Sequence, residues 1–488
     1  MVKTAVKTQP YSNGPIFRHS IGVSLREVLK AGERLEASAF NLEAKKAIEE
    51  LDAAPYNLVP LFGHGGLAHE AHNAFRFKRI WVRPPHGIPF LSSSDIIALN
   101  PEPEGYLSLK HTKRIDHLKI RLWDVLISCS GTIGNVALAG QSIEGMALSQ
   151  HAIRLRSIEP ELAGFIAAFL RTRWGRLQMT QATYGSVVVH IEPNHLKRIQ
   201  VPDIPTLMRF QIGRAMVEAT EARDEANNLL KHAGKLLHER LGLPPVSDLG
   251  AENPGPRCSQ IRASTLEDRL EGSYHSPEVY RVLQLIKKLP ITTLTLGDPN
   301  ISKNIFSVTK FRKRVYVPKG GIPMLSSKQI FQIDPIDIKR LAKGAHTKDL
   351  PEIQLAEHMV LVTRSGTTGK TFLVPKYMSG WTASEHANRI VPADTCNPGY
   401  LYVWLASDLG QLLVKRQAYG SVIQEIDRFQ LATIPVPWPS AEVRDEIGNL
   451  ALRASTLRTK AWILEQKALE ELNDLVLGLR QKDITPIE

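Results

Sequence analysis

The stretch RSGTTGKT, Arg364–Thr371, closes like a phosphate-binding loop and opens unlike one. Such a loop reads G-x-x-x-x-G-K-[ST]: its first glycine lets backbone N–H groups wrap the phosphates, and its lysine reaches the outer ones. Gly369-Lys370-Thr371 supplies the ending, but Arg364 stands where the wrap should begin. A second copy decides between the readings. CSGTIGNV, Cys129–Val136, repeats Gly131, Thr132 and Gly134 at an offset of 235 residues, with Asn135 and Val136 in place of Lys370 and Thr371. A pattern that keeps its glycines and loses its chemical pair is architectural: two glycines turn the chain after a strand. The chain by itself is therefore expected not to bind ATP.

The same offset recurs along most of the sequence. Arg34–Ser38 pairs with Arg269–Ser273, Gly87–Ser93 with Gly321–Ser327, and His111-Thr112-Lys113 with His346-Thr347-Lys348. Ser149–Ala152 pairs with Ser384–Ala387, and Tyr184-Gly185-Ser186-Val187 with Tyr419-Gly420-Ser421-Val422, always at 234 or 235. A register held over that distance is a tandem duplication, of a unit far too long for a solenoid repeat.

Composition sets the class. At 488 residues, 43% hydrophobic and 23% charged, the chain reads as several globular domains. Its net charge of +12 favours a polyanionic partner, most simply nucleic acid. Three cysteines (Cys129, Cys258, Cys396) are too few and too scattered for a disulfide framework or a zinc site, which points to a reducing compartment. The opening MVKTAVKTQPYSNGP lacks the apolar core of a signal peptide, and no run reaches membrane-spanning length. A prokaryotic cytoplasm fits, with no membrane partner expected.

Within each copy a polar, helix-leaning segment leads into short apolar runs punctuated by Gly and Pro, such as GIPFLSSSDI, DVLISCSGTIGNVALAG and HMVLVTRSGTTGKTFLVP. These predict strands of an α/β or α+β domain. ELAGFIAAFLRTRWGRLQ and GYLYVWLASDLGQLLVKRQ each predict one helix, and IQVPDIP and IPVPWPS close the domains as Pro-punctuated strand ends. Beyond them the period changes. Val443, Ile447, Leu450, Ala454, Leu457, Ala461, Leu464 and Ala468 alternate steps of four and three, a coiled-coil seam. Met208, Ile212, Ala215, Ala219, Ala222, Ala226, Leu229 and Ala233 repeat it in the first copy. Small seam residues let helices approach closely, so the two are expected to pair, with Ala222, Ala226, Leu229, Leu457, Ala461 and Leu464 at the contact. The alternative is two separate amphipathic helices, each on its own domain; a rod of about 54 Å for roughly 36 residues is long for that. The expected layout is a first domain over 1–205, a helix over 206–241, a Pro/Gly-rich linker over 242–262, a second domain over 263–438 and a second helix over 439–480. The linker turns the chain back, giving an antiparallel coiled coil with a domain at each end.

Positive charge gathers at matching places. Arg76, Lys78, Arg79 and Arg83 face Lys310, Arg312, Lys313 and Arg314 across the repeat; Lys110, His111, Lys113, Arg114 and Lys119 face Lys343, His346 and Lys348. Phe75, Phe77, Phe311 and Tyr316 are interleaved with the first cluster. Single charge runs are often solvated faces, but recurrence in both halves of a basic chain makes these, together with Lys370, the candidate DNA contacts. His151 and His386 have no partner at metal-ligand spacing in both copies, and Ser149 and Ser384 lack a nucleophile signature. Both histidines are expected to be packed or hydrogen-bonding near a turn, and no catalytic or metal residue is assigned.

Two similar domains, each closing in an Ile-x-Val-Pro-like strand and a long helix, with Gly-x-x-Gly, Ser-x-His and Gly-Ser marks inside, resemble the DNA specificity subunit of type I restriction–modification systems over nearly the whole chain. The resemblance implies two target recognition domains, each reading one half of a split, asymmetric site on double-stranded DNA. It implies that the paired helices dock two copies of an adenine methyltransferase, which holds S-adenosylmethionine, and that ATP belongs to a separate restriction subunit. The chain itself would be non-catalytic. A related methyltransferase-based phage-defence system, or a duplicated scaffold whose basic surface meets an acidic protein, are the alternatives.

Overall fold

The computed structural model describes residues 23–30, 40, 42–181, 190–249, 260–266, 269–308 and 314–479. Tyr184–Val187, Arg34–Ser38 and residues 250–259 of the linker, Cys258 among them, lie outside the described residues. In chain order the strands are β1 (Leu58–Pro60), β2 (Glu70–Asn73), β3 (Trp81–Val82), β4 (Gly87–Leu91), β5 (Gly105–Ser108), β6 (Val125–Ser128), β7 (Val136–Leu138), β8 (Ala147–Leu148), β9 (Ala152–Arg156) and β10 (Gln200–Pro202). The second half has β11 (Thr292–Thr295), β12 (Ser302–Ser307), β13 (Ile322–Leu325), β14 (Lys339–Leu341), β15 (Val360–Thr363), β16 (Thr371–Leu373), β17 (Thr382–Ala383), β18 (Ala387–Pro392) and β19 (Pro435–Trp438). The helices are α1 (Leu25–Lys30), α2 (Leu42–Asp52), α3 (Pro160–Arg171), α4 (Arg173–Gln181), α5 (Thr206–Leu241), α6 (Pro277–Lys288), α7 (Leu350–Ile353), α8 (Pro398–Ala406), α9 (Asp408–Arg416), α10 (Arg428–Ala432) and α11 (Ala441–Val476).

The halves share one topology. An antiparallel sheet β2-β9-β6-β7 recurs as β12-β18-β15-β16. A second sheet, β3-β5-β4-β8 with a parallel β4/β8 pair, recurs as β14-β13-β17 with a parallel β13/β17 pair. The counterpart of β3 is reduced to a bridge from Tyr316 to Leu341. The closing strands pair back on the opening ones, β1 with β10 and β11 with β19. Alternation along β6 explains the layering: Val125 and Ile127 point into the core under the helices, while Leu126 points into the core under the second sheet. Val360, Val362 and Leu361 of β15 repeat this. A strand buried on both faces reads as a continuous apolar run, which is how VLIS and VLVT look. Arg154 of β9, fully buried, ties the layers by donating to the carbonyls of Leu118 and Leu148, and Arg389 of β18 does the same to Ala383.

The expected single helix after each sheet is two helices. Thr172 and Ser407 are in extended backbone, and each hydroxyl accepts from the N–H three residues on, Gly175 and Gly410. That capping bond restarts the helix in a new direction. The two glycines allow it, since a Cβ on either would strike the carbonyl of Phe169 or Trp404.

α5 and α11 each run 36 residues, and α5 ends at Gly242 in the left-handed conformation. They lie antiparallel: Arg240 near the end of α5 pairs with Glu446 near the start of α11, and Arg223 pairs with Glu465. Ala219, Ala222 and Ala461 are buried together between them, with Leu457 and Leu464 partly covered beside them; Ala226 is fully buried, and Leu229 is half-buried outside that cluster. The helices also close the domain cores. Ile212 and Met216 of α5 join Leu472 and Leu475 of α11 under the first sheet; Leu237 of α5 joins Ile447 and Ala451 of α11 under the second.

Candidate nucleic-acid interface

Strand pairing joins basic clusters that are about thirty positions apart in sequence. Trp81 lies opposite Leu107, and Ser108 N donates to Ile80 O at 2.9 Å. The segment entering β3 and the segment leaving β5 therefore sit side by side. Lys78, exposed, and Arg79, half-buried with its guanidinium 4.8 Å over the Phe90 ring, come from the first. Lys110, His111, Lys113 and Arg114, all exposed, come from the second. Arg114 has φ 49°, which turns the loop at that point.

In the second half Ala342 N donates to Val315 O at 2.9 Å, bringing Arg314 beside Lys343 in the same way. Lys343 and Lys348 are exposed. Two assignments change. His346, the counterpart of exposed His111, is 2% exposed; its Nε2 accepts from Val315 N at 2.9 Å and its Nδ1 faces Asp349 at 3.2 Å. It pins the loop and does not face a ligand. Arg314 is held by Glu385 at 2.5 Å. Burial would raise that carboxyl, but its own backbone N–H and the Arg314 guanidinium hold it below the ordinary range. Arg312 and Lys313 lie outside the described residues.

The glycine turns sit at the tips of the β6–β7 and β15–β16 hairpins. Gly131, Gly134, Gly366 and Gly369 all have φ between 74° and 88°, a conformation open to glycine without strain. Ser128 and Thr363 brace the turns from equivalent positions: Ser128 Oγ donates to Thr132 O at 2.6 Å and accepts from Asn135 N at 3.0 Å, and Lys370 N donates to Thr363 Oγ1 at 2.9 Å. A strand follows each turn, so no helix N-terminus faces it as in a phosphate-binding loop. Lys370 is exposed, its Nζ 5.8 Å from the Phe331 ring.

Each turn carries a Ser–His pair that sequence reading left unjoined. Ser130 Oγ lies 2.6 Å from His151 Nδ1, and Ser365 Oγ lies 2.6 Å from His386 Nδ1. Burial, with the nearby charges of Arg79 and His190, pushes the His151 imidazole below its usual range, so it is neutral near pH 7. The repeat itself held the signal: both serines and both histidines are offset by 235. A cleft of about 550 Å³ lies between the halves, lined by Ser130 and Thr132 of the first and by Arg314, Lys328, Lys339 and His386 of the second. Among the described residues no group of His, Cys, Asp and Glu is placed to hold a metal, and no helix is long and apolar enough to cross a membrane.

Residues 304–450 match the family model of the type I restriction modification DNA specificity domain. No curated protein matches the chain. Among solved structures the chain is similar to the S subunit of a type I restriction-modification system from M. genitalium, at 12% identity and a TM-score of 0.36, over 88% of this chain and 96% of that one. It is also similar to the HsdS subunit from Thermoanaerobacter tengcongensis, at 15% identity and a TM-score of 0.27, over 87% and 97%. The resemblance read from the sequence and the match over residues 304–450 point to the same family, that of the type I restriction modification DNA specificity domain.

Proposed function

We propose that this chain is the sequence-reading subunit of a type I restriction–modification complex. Each half reads one part of a bipartite, asymmetric duplex target. The paired helices α5 and α11 space the halves and dock two DNA-methyltransferase subunits, and the chain performs no catalysis itself. S-adenosylmethionine belongs to the methyltransferase and ATP to a restriction subunit. One observation carries the reading. The two halves have the same strand topology and place exposed lysines at equivalent strand ends, Lys110 and Lys113 in one and Lys343 and Lys348 in the other, with different residues in the loops there: NPEPEGYLSLKHTKRI in one, DPIDIKRLAKGAHTKDL in the other. Equal scaffolds with unequal loops suit two different half-sites, since phosphate contacts position a protein and base contacts specify the sequence.

The test is binding by the full chain, co-expressed with a DNA methyltransferase, to target and scrambled duplexes over a range of salt. The proposal expects a preference of about 10³-fold or more for the target. Lys113→Ala and Lys348→Ala should each weaken binding to every duplex and flatten the salt slope by about one unit. A duplicated scaffold for an acidic protein predicts the opposite pattern: a steep salt slope with no sequence preference. That outcome would remove the proposal.

A further inference from the structure

The two halves touch each other through the same segment. Ala98 and Gln332 form an antiparallel bridge; Leu99 N donates to Phe331 O and Ile333 N to Ile97 O, both at 2.8 Å. The repeat offset in this region is 234, so Ile97, Ala98 and Leu99 are the counterparts of Phe331, Gln332 and Ile333. The two hydrogen bonds are therefore images of one another across a pseudo-two-fold axis. Leu99 is 5% exposed and sits in the apolar cluster of the second half, with Leu325 and Ile330.

The next residue on each side carries the contact to the helices. Asp334 accepts from Arg171 at 3.0 Å and from Arg176. Arg171 is bidentate on Glu465 at 2.6 and 2.9 Å, and Glu465 also takes both arms of Arg223 at 2.6 Å. A segment of the second half, a helix of the first, α5 and α11 are thus linked by one chain of charges. On the other side Asn100, the counterpart of Asp334, accepts from Arg458 of α11, the counterpart of Arg223.

We propose that this contact is a gauge for the distance between half-sites. The inference rests on the reading of each half as a reader of its own half-site. Without a contact between them, the halves would be joined through the helix pair alone, and bending or twisting of that rod would move one reader against the other. The bridge and its charge chain add a second attachment, which fixes both separation and rotational phase. One base pair more or less between half-sites demands about 3.4 Å and roughly 35° of rotation. A packed contact with matched hydrogen bonds does not stretch that far; it breaks. The chain is therefore selective for the number of base pairs between half-sites, and residues 97–100 and 331–334 set that selectivity.

The test compares the full chain with the double variant Asn100→Ala/Asp334→Ala and, separately, with Ile333→Pro, which removes one bridge donor. The first readout needs no DNA. Spin labels at Ile158→Cys and Thr293→Cys, both exposed, in a Cys258→Ser background, report the distance between halves. Cys129 and Cys396 are buried, with burial raising their thiols to about 11 and about 12, and do not compete for label. A single narrow distance that broadens in the variants is expected; equal widths in the full chain and both variants overturn the proposal. The second readout is methylation, by the complex, of targets with the natural spacer and with one base pair added or removed. The unaltered chain should disfavour the altered spacers by about tenfold or more, the scale of giving up two hydrogen bonds, and the variants should lose most of that difference while keeping both half-sites. A two-part target read equally at all three spacers overturns the gauge alone. A target with no two-part structure overturns the proposed function and the gauge with it.

Discussion

Gly213 and Gly234 lie in the same helix, and replacing each by alanine separates packing from propensity. In an unobstructed helix interior Gly→Ala stabilises by about 0.8–1.0 kcal/mol. Nothing lies within 4 Å of a Cβ built at Gly234, so Gly234→Ala should show that gain. At Gly213 the new Cβ would stand 1.8 Å from Glu161 O, and a Cβ at Gly164 would stand 2.3 Å from Gly213 O. α3 and α5 cross with glycine against glycine, and the obstructing atom is backbone, which cannot rotate aside. Restoring an ordinary contact of about 3.5 Å means moving the helices apart by more than an ångström, over the core around Phe165, Ile166 and Met216. Overpacking costs about 1–3 kcal/mol, and the upper end applies where backbone must move. After the propensity gain, Gly213→Ala should be about 2 kcal/mol less stable. At about 2–4 °C per kcal/mol for domains of about 150–250 residues, its melting point should fall by roughly 4–8 °C while Gly234→Ala rises by about 2–4 °C. Thermal melting followed by tryptophan fluorescence measures both, since Trp174 is buried in the same core. A Gly213→Ala protein as stable as Gly234→Ala would refute the close crossing.

Other expectations follow from the helix pair. Ala226 is fully buried, so Ala226→Leu should cost about 1–3 kcal/mol; an unchanged melting temperature together with unchanged methyltransferase docking would count against paired helices. Burial alone would raise the Glu465 carboxyl, but Arg171 and Arg223 outweigh it and hold it at about 2, below the ordinary 4.5. A depressed carboxylate contributes stability that is complete above about pH 4.5 and is lost as pH falls toward 2. Glu465→Gln should lose about 3–5 kcal/mol at neutral pH by leaving buried arginine charge uncompensated, and its stability should depend less on pH across that acid window. Denaturant titrations at pH 7 and pH 3 distinguish this from a neutral substitution.

What could be read without coordinates was whatever repeats or has a period. The glycine turn was legible because its two copies agree only where the backbone needs glycine. The long helices were legible from a period sustained over eight positions in each copy. The break at Thr172 and Ser407 was not, because apolar spacing continues across it while a hydroxyl three residues before a glycine decides the geometry. His111 and His346 stand in the same His-Thr-Lys motif, yet one is exposed and the other buried, a difference made by Val315 and Asp349 that no motif records. The basic clusters were visible singly, but their union depends on β3 pairing with β5. The Arg171–Glu465–Arg223 contact joins positions 294 and 242 apart, and Glu465 lies one place off the apolar seam, where a charge looks like a solvated flank.

The central claim is that two readers on one chain take two different half-sites. Mapping the adenines methylated by the complex, before and after exchanging the loop around Lys110–Arg114 for the corresponding loop of a type I specificity subunit with a different target, tests it most directly. The account predicts a bipartite, asymmetric target whose halves are no more than roughly 16 base pairs apart, since a rod of about 54 Å spans that many at about 3.4 Å each. It predicts that the exchange alters one half-site and leaves the other as it was. A single continuous palindrome, or an exchange that alters both half-sites together, would contradict it.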